Sequence, residues 1–149
     1  MIHVTKVVEW DMGHRVPNHK SKCRNPHGHR YRLELTVGGP LVEKPGDSSE
    51  GMVYDFGDLK GLMMTRVHDV LDHGFMVYQG DQVLTSFFKS CEDQDFRVLV
   101  VPFIPTAENL TQWCYEQLQP ALPAGLSIFR VRLFETPNSW ADYGPGAGM

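Results

Sequence analysis

The chain reads as an α+β domain in which an antiparallel sheet is covered by two helices, and three observations carry that reading. Apolar alternation at both ends of the chain marks strands, two segments in the middle carry apolar residues at spacings of three and four, and turn residues separate these stretches. From Ile2 to Met12, the residues Ile2, Val4, Val8, Trp10 and Met12 share one parity, which gives a first strand with one face buried. Tyr31, Leu33, Leu35 and Val37 do the same for a second strand from about His29 to Gly38, which Gly38-Gly39-Pro40 ends. Pro45 to Gly51 is a turn-rich loop, and Met52 to Phe56 a short extended piece. Leu59, Leu62, Met63, Val67, Val70 and Leu71 place one apolar stripe on a helix from about Asp58 to Leu71.

Residues 75 to 95 have no clean period and are expected to be loop with a short helix. Phe96 to Ile104 is an apolar, β-branched run with the look of a buried strand, stopped by Pro105. Thr106 can cap a helix from about Ala107 to Gln119, whose stripe is Leu110, Trp113, Cys114 and Leu118; Pro120 and Pro123 forbid its continuation. A last strand, about Leu126 to Thr136, sets Phe129, Val131, Leu133 and Glu135 against Arg130 and Arg132. The glycine-rich stretch from Gly144 to Met149 is expected to be a disordered tail.

At 149 residues the chain is long enough to bury a core without disulfides and is most simply one domain, residues 1–149. No stretch approaches a membrane span, the start lacks the apolar core of a signal peptide, and three scattered cysteines suit a reducing compartment, so a cytoplasmic protein is expected. A net charge of −4 speaks against general nucleic-acid binding. Between His14 and Arg32, however, lie Arg15, Lys20, Lys22, Arg24, Arg30 and Arg32 with no acid among them. Either this is an ordinary solvated loop or it draws an anionic substrate.

Within that basic run sit the residues with most chemistry. His27 and His29 straddle a glycine at the start of the second strand, so their rings point to one side about 6.5 Å apart and can converge on one ion. His14 ends the first strand on its apolar face and suits the third ligand position. Three neutral nitrogens fit zinc and leave a position open for chemistry. Cys23 could close the site as a fourth ligand, could be an inert small hydrophobe, or could act as a thiolate favoured by Lys22, Arg24 and a nearby cation. Asp72-His73 is either an acid orienting an imidazole or simply a helix C-terminus before Gly74. Glu108 is expected in a first helical turn on electrostatic grounds alone. Glu135, an acid ending an apolar face, needs a partner, and a ligand with paired N–H donors is one. His3, His19 and His68 are given no role.

In their order along the chain, several motifs resemble the 6-pyruvoyl-tetrahydropterin synthase and 6-carboxy-tetrahydropterin synthase family. They are Trp10-Asp11-Met12-Gly13-His14, Cys23 followed by His27-Gly28-His29-Arg30-Tyr31, Met52-Val53-Tyr54-Asp55-Phe56, Leu71-Asp72-His73, Pro105-Thr106-Ala107-Glu108-Asn109-Leu110 and Phe134-Glu135-Thr136. The resemblance implies zinc on His14, His27 and His29, a proton-transfer set of Cys23, Asp72 and His73, and Glu135 on the guanidine-like edge of a pterin with Thr106 and Glu108 nearby. It implies the tunnelling fold, a four-stranded antiparallel sheet with two helices between the strand pairs (ββααββ), assembled as a homohexamer with active sites at subunit interfaces. Three residues between Cys23 and His27 look like the bacterial 6-carboxy branch of queuosine and 7-deazaguanine biosynthesis, acting on 7,8-dihydroneopterin triphosphate. A 6-pyruvoyl synthase, or a non-catalytic zinc-stabilised protein that binds a pterin or purine, are the alternatives. The pattern departs from the family after His73, where Gly74-Phe75-Met76-Val77-Tyr78 stands.

Overall fold

The computed structural model describes residues 1–149. Strands β1 (Ile2–His14) and β2 (His27–Gly39) form a long antiparallel ribbon, and β5 (Ser127–Thr136) and β6 (Ser139–Tyr143) extend it on the β2 side. Alternation works as expected: Val8, Trp10 and Met12 from β1 and Tyr31, Leu33, Leu35 and Val37 from β2 all enter the core. Both strands run on to the histidines, so the connecting loop spans only residues 15–26.

The sheet has six strands in the order β4-β3-β1-β2-β5-β6, not four. The two extra strands come from the segment without clean period. β3 (Gly74–Tyr78) lies parallel to the end of β1, and β4 (Val98–Val101) lies parallel to β3. Parallel strands need a crossover, supplied here by a helix, α3 (Gln82–Ser90), with Asp81 as its N-cap. The apolar run at 96–104 is therefore an edge strand with Val100 55% exposed, not a buried strand. Gly13 permits the β1–β3 approach, since a Cβ there would lie 2.5 Å from the Phe75 ring.

Helix α1 (Phe56–Met63) begins two residues earlier than expected, capped by Asp55, whose carboxylate accepts the Asp58 N–H at 3.0 Å. A π turn (Met64–His68) joins it to the short α2 (Asp69–Leu71). The joint has a reason in the sequence. Leu59, Met63, Val67 and Leu71, spaced by four, are all buried, but a stripe spaced by four drifts about 40° per step around an ideal helix of 3.6 residues per turn. One wider turn takes up the drift and keeps the stripe on the sheet. Val70, expected on that stripe, is exposed instead. Helix α4 (Ala107–Leu118) is capped by Thr106 and buries Leu110, Cys114 and Leu118 beside β5.

On β5 a bulge opposite Thr36 and Val37 changes the inward residue from Phe129 to Ile128, and Phe129 stacks on His3 at 4.0 Å. Residues 144–149, expected to be disordered, fold back on β5. The Gly146 N–H donates to the Phe129 carbonyl, and the Arg130 and Arg132 guanidinium groups donate to the Met149 carbonyl. No helix is long and apolar enough to cross a membrane.

Candidate metal and pterin site

The antiparallel register places His14 directly opposite His27, and Met12 opposite His29, so all three imidazoles share the core face of the β1–β2 ribbon at its open end. Their donor nitrogens lie within 4.8 Å of one another. Two carbonyls fix the tautomers. Nδ1–H of His14 donates to the Pro105 carbonyl at 2.6 Å, and Nδ1–H of His27 donates to that of Asn25 at 2.6 Å. Each Nε2 is left with its lone pair aimed at the centre of the group.

The His27 and His29 Nε2 atoms are 3.1 Å apart. Two nitrogens about 2.05 Å from one tetrahedral ion are separated by about 3.3 Å. The His14 Nε2 is buried without any hydrogen-bond partner, a costly state for a polar atom unless a ligand fills it. Burial lowers the pKa of both His14 and His29, against the opposing pull of Glu135, which favours the neutral form a metal requires. The residues present thus fit a metal ion held by three imidazoles.

Glu135 follows Leu133, which pairs with Leu33, and therefore reaches the same face. Its carboxylate oxygens lie 3.7 Å from the His29 Nε2 and 3.9 Å from the His14 Nε2, with the side chain 25% exposed. Tyr31 floors the group, its ring centre 5.7 Å from that of His29, and burial first and Glu135 second push its phenol pKa up, so it stays a neutral donor.

The residues read as a proton-transfer set are not assembled within one chain. Asp72 and His73 do pair, at 2.9 Å between Oδ2 and Nδ1. They are fastened to β1 at Asp11, whose N–H donates to Asp72 at 3.2 Å and whose carbonyl accepts the His73 N–H at 2.7 Å. These bonds hold His73 at φ 60, a left-handed conformation that is uncommon outside glycine, with its imidazole 77% exposed. Asp11, Asp72 and His73 form a second cluster, and Asp11 belongs to the face of β1 opposite the three histidines. Cys23, on a single 3-10 turn (Lys22–Arg24), is partly buried and joins neither cluster. The Thr106 side chain accepts the Asn109 N–H at 3.2 Å as a helix cap, and Glu108 is exposed on the first turn of α4. Both follow Pro105, whose carbonyl orients His14.

Sequence reasoning missed Asp11, Pro105 and Asn25. Asp11 carried a signal, since its parity sets it opposite the apolar face. The two carbonyls carry none, because every residue has one.

The model for the family described as 6-pyruvoyl tetrahydropterin synthase matches residues 3–146. A 6-carboxy-5,6,7,8-tetrahydropterin synthase of Haemophilus influenzae is 32% identical over 143 residues, covering 96% of this chain and 99% of the relative. One from Rickettsia bellii is 35% identical over 144 residues, covering 95% and 99%. Among solved structures, an uncharacterized protein of Wolinella succinogenes superposes with a TM-score of 0.79 at 23% identity, covering 96% of this chain and 97% of that one. The Caenorhabditis elegans 6-pyruvoyl tetrahydropterin synthase gives 0.66 at 24% identity over 96% and 94%, a likeness of fold. With nearly the whole length matched by the family model and by relatives above 30% identity, the chain belongs to the 6-pyruvoyl tetrahydropterin synthase family.

Proposed function

We propose that the chain catalyses the zinc-dependent conversion of 7,8-dihydroneopterin triphosphate to 6-carboxy-5,6,7,8-tetrahydropterin, with loss of triphosphate and acetaldehyde. This is a lyase step of queuosine and 7-deazaguanine biosynthesis in the cytoplasm. The observation that carries the reading is the three-histidine group with the orphaned His14 Nε2, beside a carboxylate suited to the pterin edge. The names of the relatives support the choice of product.

His14, His27 and His29 would hold the zinc, which when bound supplies Lewis acidity to the oxygens of the substrate side chain. Glu135 accepts two N–H bonds from the guanidine-like edge of the heterocycle, a charge-assisted pair that fixes its orientation. Thr106 and Glu108, at the α4 N-terminus that directly follows Pro105, would stand near the same pterin. Cys23 removes a proton from the side chain, and His73, its Nδ1 held by Asp72, returns one through Nε2. Because His73 and the three histidines occupy opposite faces of β1, the His73 that serves a given site belongs to a second copy of the chain. A homohexamer with active sites at subunit interfaces satisfies this requirement.

Incubating the zinc-loaded protein with dihydroneopterin triphosphate and identifying products by mass spectrometry tests the reading. 6-Carboxy-tetrahydropterin and acetaldehyde are expected. Release of 6-pyruvoyl-tetrahydropterin would move the chain to the other branch of the family, and tight pterin binding without turnover would make it a binding protein.

A further inference from the structure

The loop between β1 and β2 carries Cys23, and one buried ion pair ties that loop to the helix that the sequence pattern obscured. Arg15 directly follows the last residue of β1. Its Nε donates to Asp81 Oδ2 at 2.6 Å and its Nη2 to Asp81 Oδ1 at 2.6 Å, a two-pronged contact. Asp81 is 4% exposed and also caps α3, accepting the Leu84 N–H at 3.2 Å. A bidentate pair of this kind fixes direction as well as distance.

On the loop side, the Arg15 Nη1 reaches the Arg24 carbonyl at 3.4 Å, and the next residue, Val16, donates its N–H to the Cys23 carbonyl at 2.8 Å. Cys23 is thus bracketed by two carbonyls, its own and that of Arg24, which are tied to Val16 and Arg15. The rest of the loop bonds mainly within itself, through His19 to Val16, Arg24 to Ser21 and Asn25 to Lys22. At the β2 end the His27 ring holds the Asn25 carbonyl, and Arg15 supplies the side-chain link from the turn at Cys23 to α3.

We infer that Arg15 and Asp81 are positioning residues for Cys23: the pair fastens the cysteine-bearing loop to the N-terminus of α3 and so sets where the thiol stands relative to the three histidines. For the catalytic consequence this rests on the proposed role of Cys23, while the placement of the thiol itself does not. Asp81 is not a general anchor of the metal group, because His14 and His27 take their orienting bonds from Pro105 and Asn25.

The test uses the full-length, zinc-loaded protein and the variants Arg15→Met, Asp81→Asn and Leu84→Ala. Asparagine keeps the helix cap but loses the charge, and Leu84→Ala weakens the seating of α3 while leaving the pair intact. Zinc content, kcat and KM for dihydroneopterin triphosphate, and the iodoacetamide rate at Cys23, read by peptide mass spectrometry, are measured for each. For Arg15→Met and Asp81→Asn, zinc and KM are expected to stay within about twofold while kcat falls about tenfold or more, the signature of a misplaced group. Alkylation at Cys23 is expected to rise about threefold or more, because the loosened turn exposes a partly buried thiol. Leu84→Ala should match wild type in the alkylation rate. Unchanged alkylation in Arg15→Met and Asp81→Asn, or an equal rise in Leu84→Ala, overturns the inference. Absence of turnover in the wild type counts against the proposed reaction instead, and the alkylation rates still decide the positioning role.

Discussion

Replacing His29 by alanine removes one of three nitrogens that lie within 4.8 Å of one another, and the size of the effect is the binding free energy lost with the metal. A ligand that binds only the folded state stabilises it by RT ln(1 + [L]/Kd), about 2.7 kcal/mol at a hundredfold excess over Kd. For a chain of 149 residues this corresponds to a rise in Tm of roughly 5–10 °C. Without metal, burial of His14 and His29 keeps the imidazoles from adding charge-based stability, so the apo form of His29→Ala should lie within about 1 kcal/mol of the apo wild type. The assay is thermal unfolding of chelator-treated protein with and without added zinc, alongside metal analysis. Wild type is expected to gain the full shift, and His29→Ala little or none of it. Cys23→Ala should behave as wild type, since Cys23 lies outside the group. A full zinc shift in His29→Ala, or its loss in Cys23→Ala, would refute the assignment of the ligands.

Glu135→Gln should retain zinc and weaken pterin binding by an order of magnitude or more, about 1.5–3 kcal/mol by titration; loss of zinc would make Glu135 a fourth ligand instead. Leu133→Ala empties a fully buried position on β5 and should cost about 2–5 kcal/mol in denaturant unfolding, a loss under 1 kcal/mol contradicting the packing. Asp142 receives two bonds from Arg132, at 2.7 and 2.9 Å, which hold its carboxyl below the usual range. The stability it contributes is present above the unfolded carboxylate pKa of about 3.9 and is lost as pH falls through the lower folded value. The stability gap between wild type and Asp142→Asn should therefore be constant near neutrality and shrink below about pH 4; a gap that widens in acid would reverse the sign of the argument.

The antiparallel ribbon and the histidine group were legible because both depend on parity, which survives in a one-dimensional pattern. His14, His27 and His29 share a face for the same reason that Trp10 and Tyr31 do. The β3-α3-β4 unit was not legible. Met76 and Val77 are both buried, so β3 offers no alternation, and α3 exposes Val83 and Phe87, which hides its stripe. Val100 misled in the opposite sense, because β-branched residues also suit an edge strand with one wet face. The switch from Phe129 to Ile128 depends on a bulge that only the pairing partner reveals. That Asp72 and His73 join Asp11 on the other face of β1 was not legible, since motif order says nothing about which face each residue approaches. Asp81 was invisible for a related reason: its partner, Arg15, lies 66 residues away, and an ion pair has no period.

The measurement closest to the central claim compares turnover of dihydroneopterin triphosphate at saturating zinc in wild type, Cys23→Ala, His73→Ala and the double variant. If Cys23 and His73 serve one proton-transfer sequence, each single variant keeps its zinc and loses about 10²-fold or more in kcat. The double variant is then little worse than either, because both residues act on one sequence rather than contributing independently. Near-wild-type turnover in Cys23→Ala would contradict the account, and losses that multiply in the double variant would show two independent contributors.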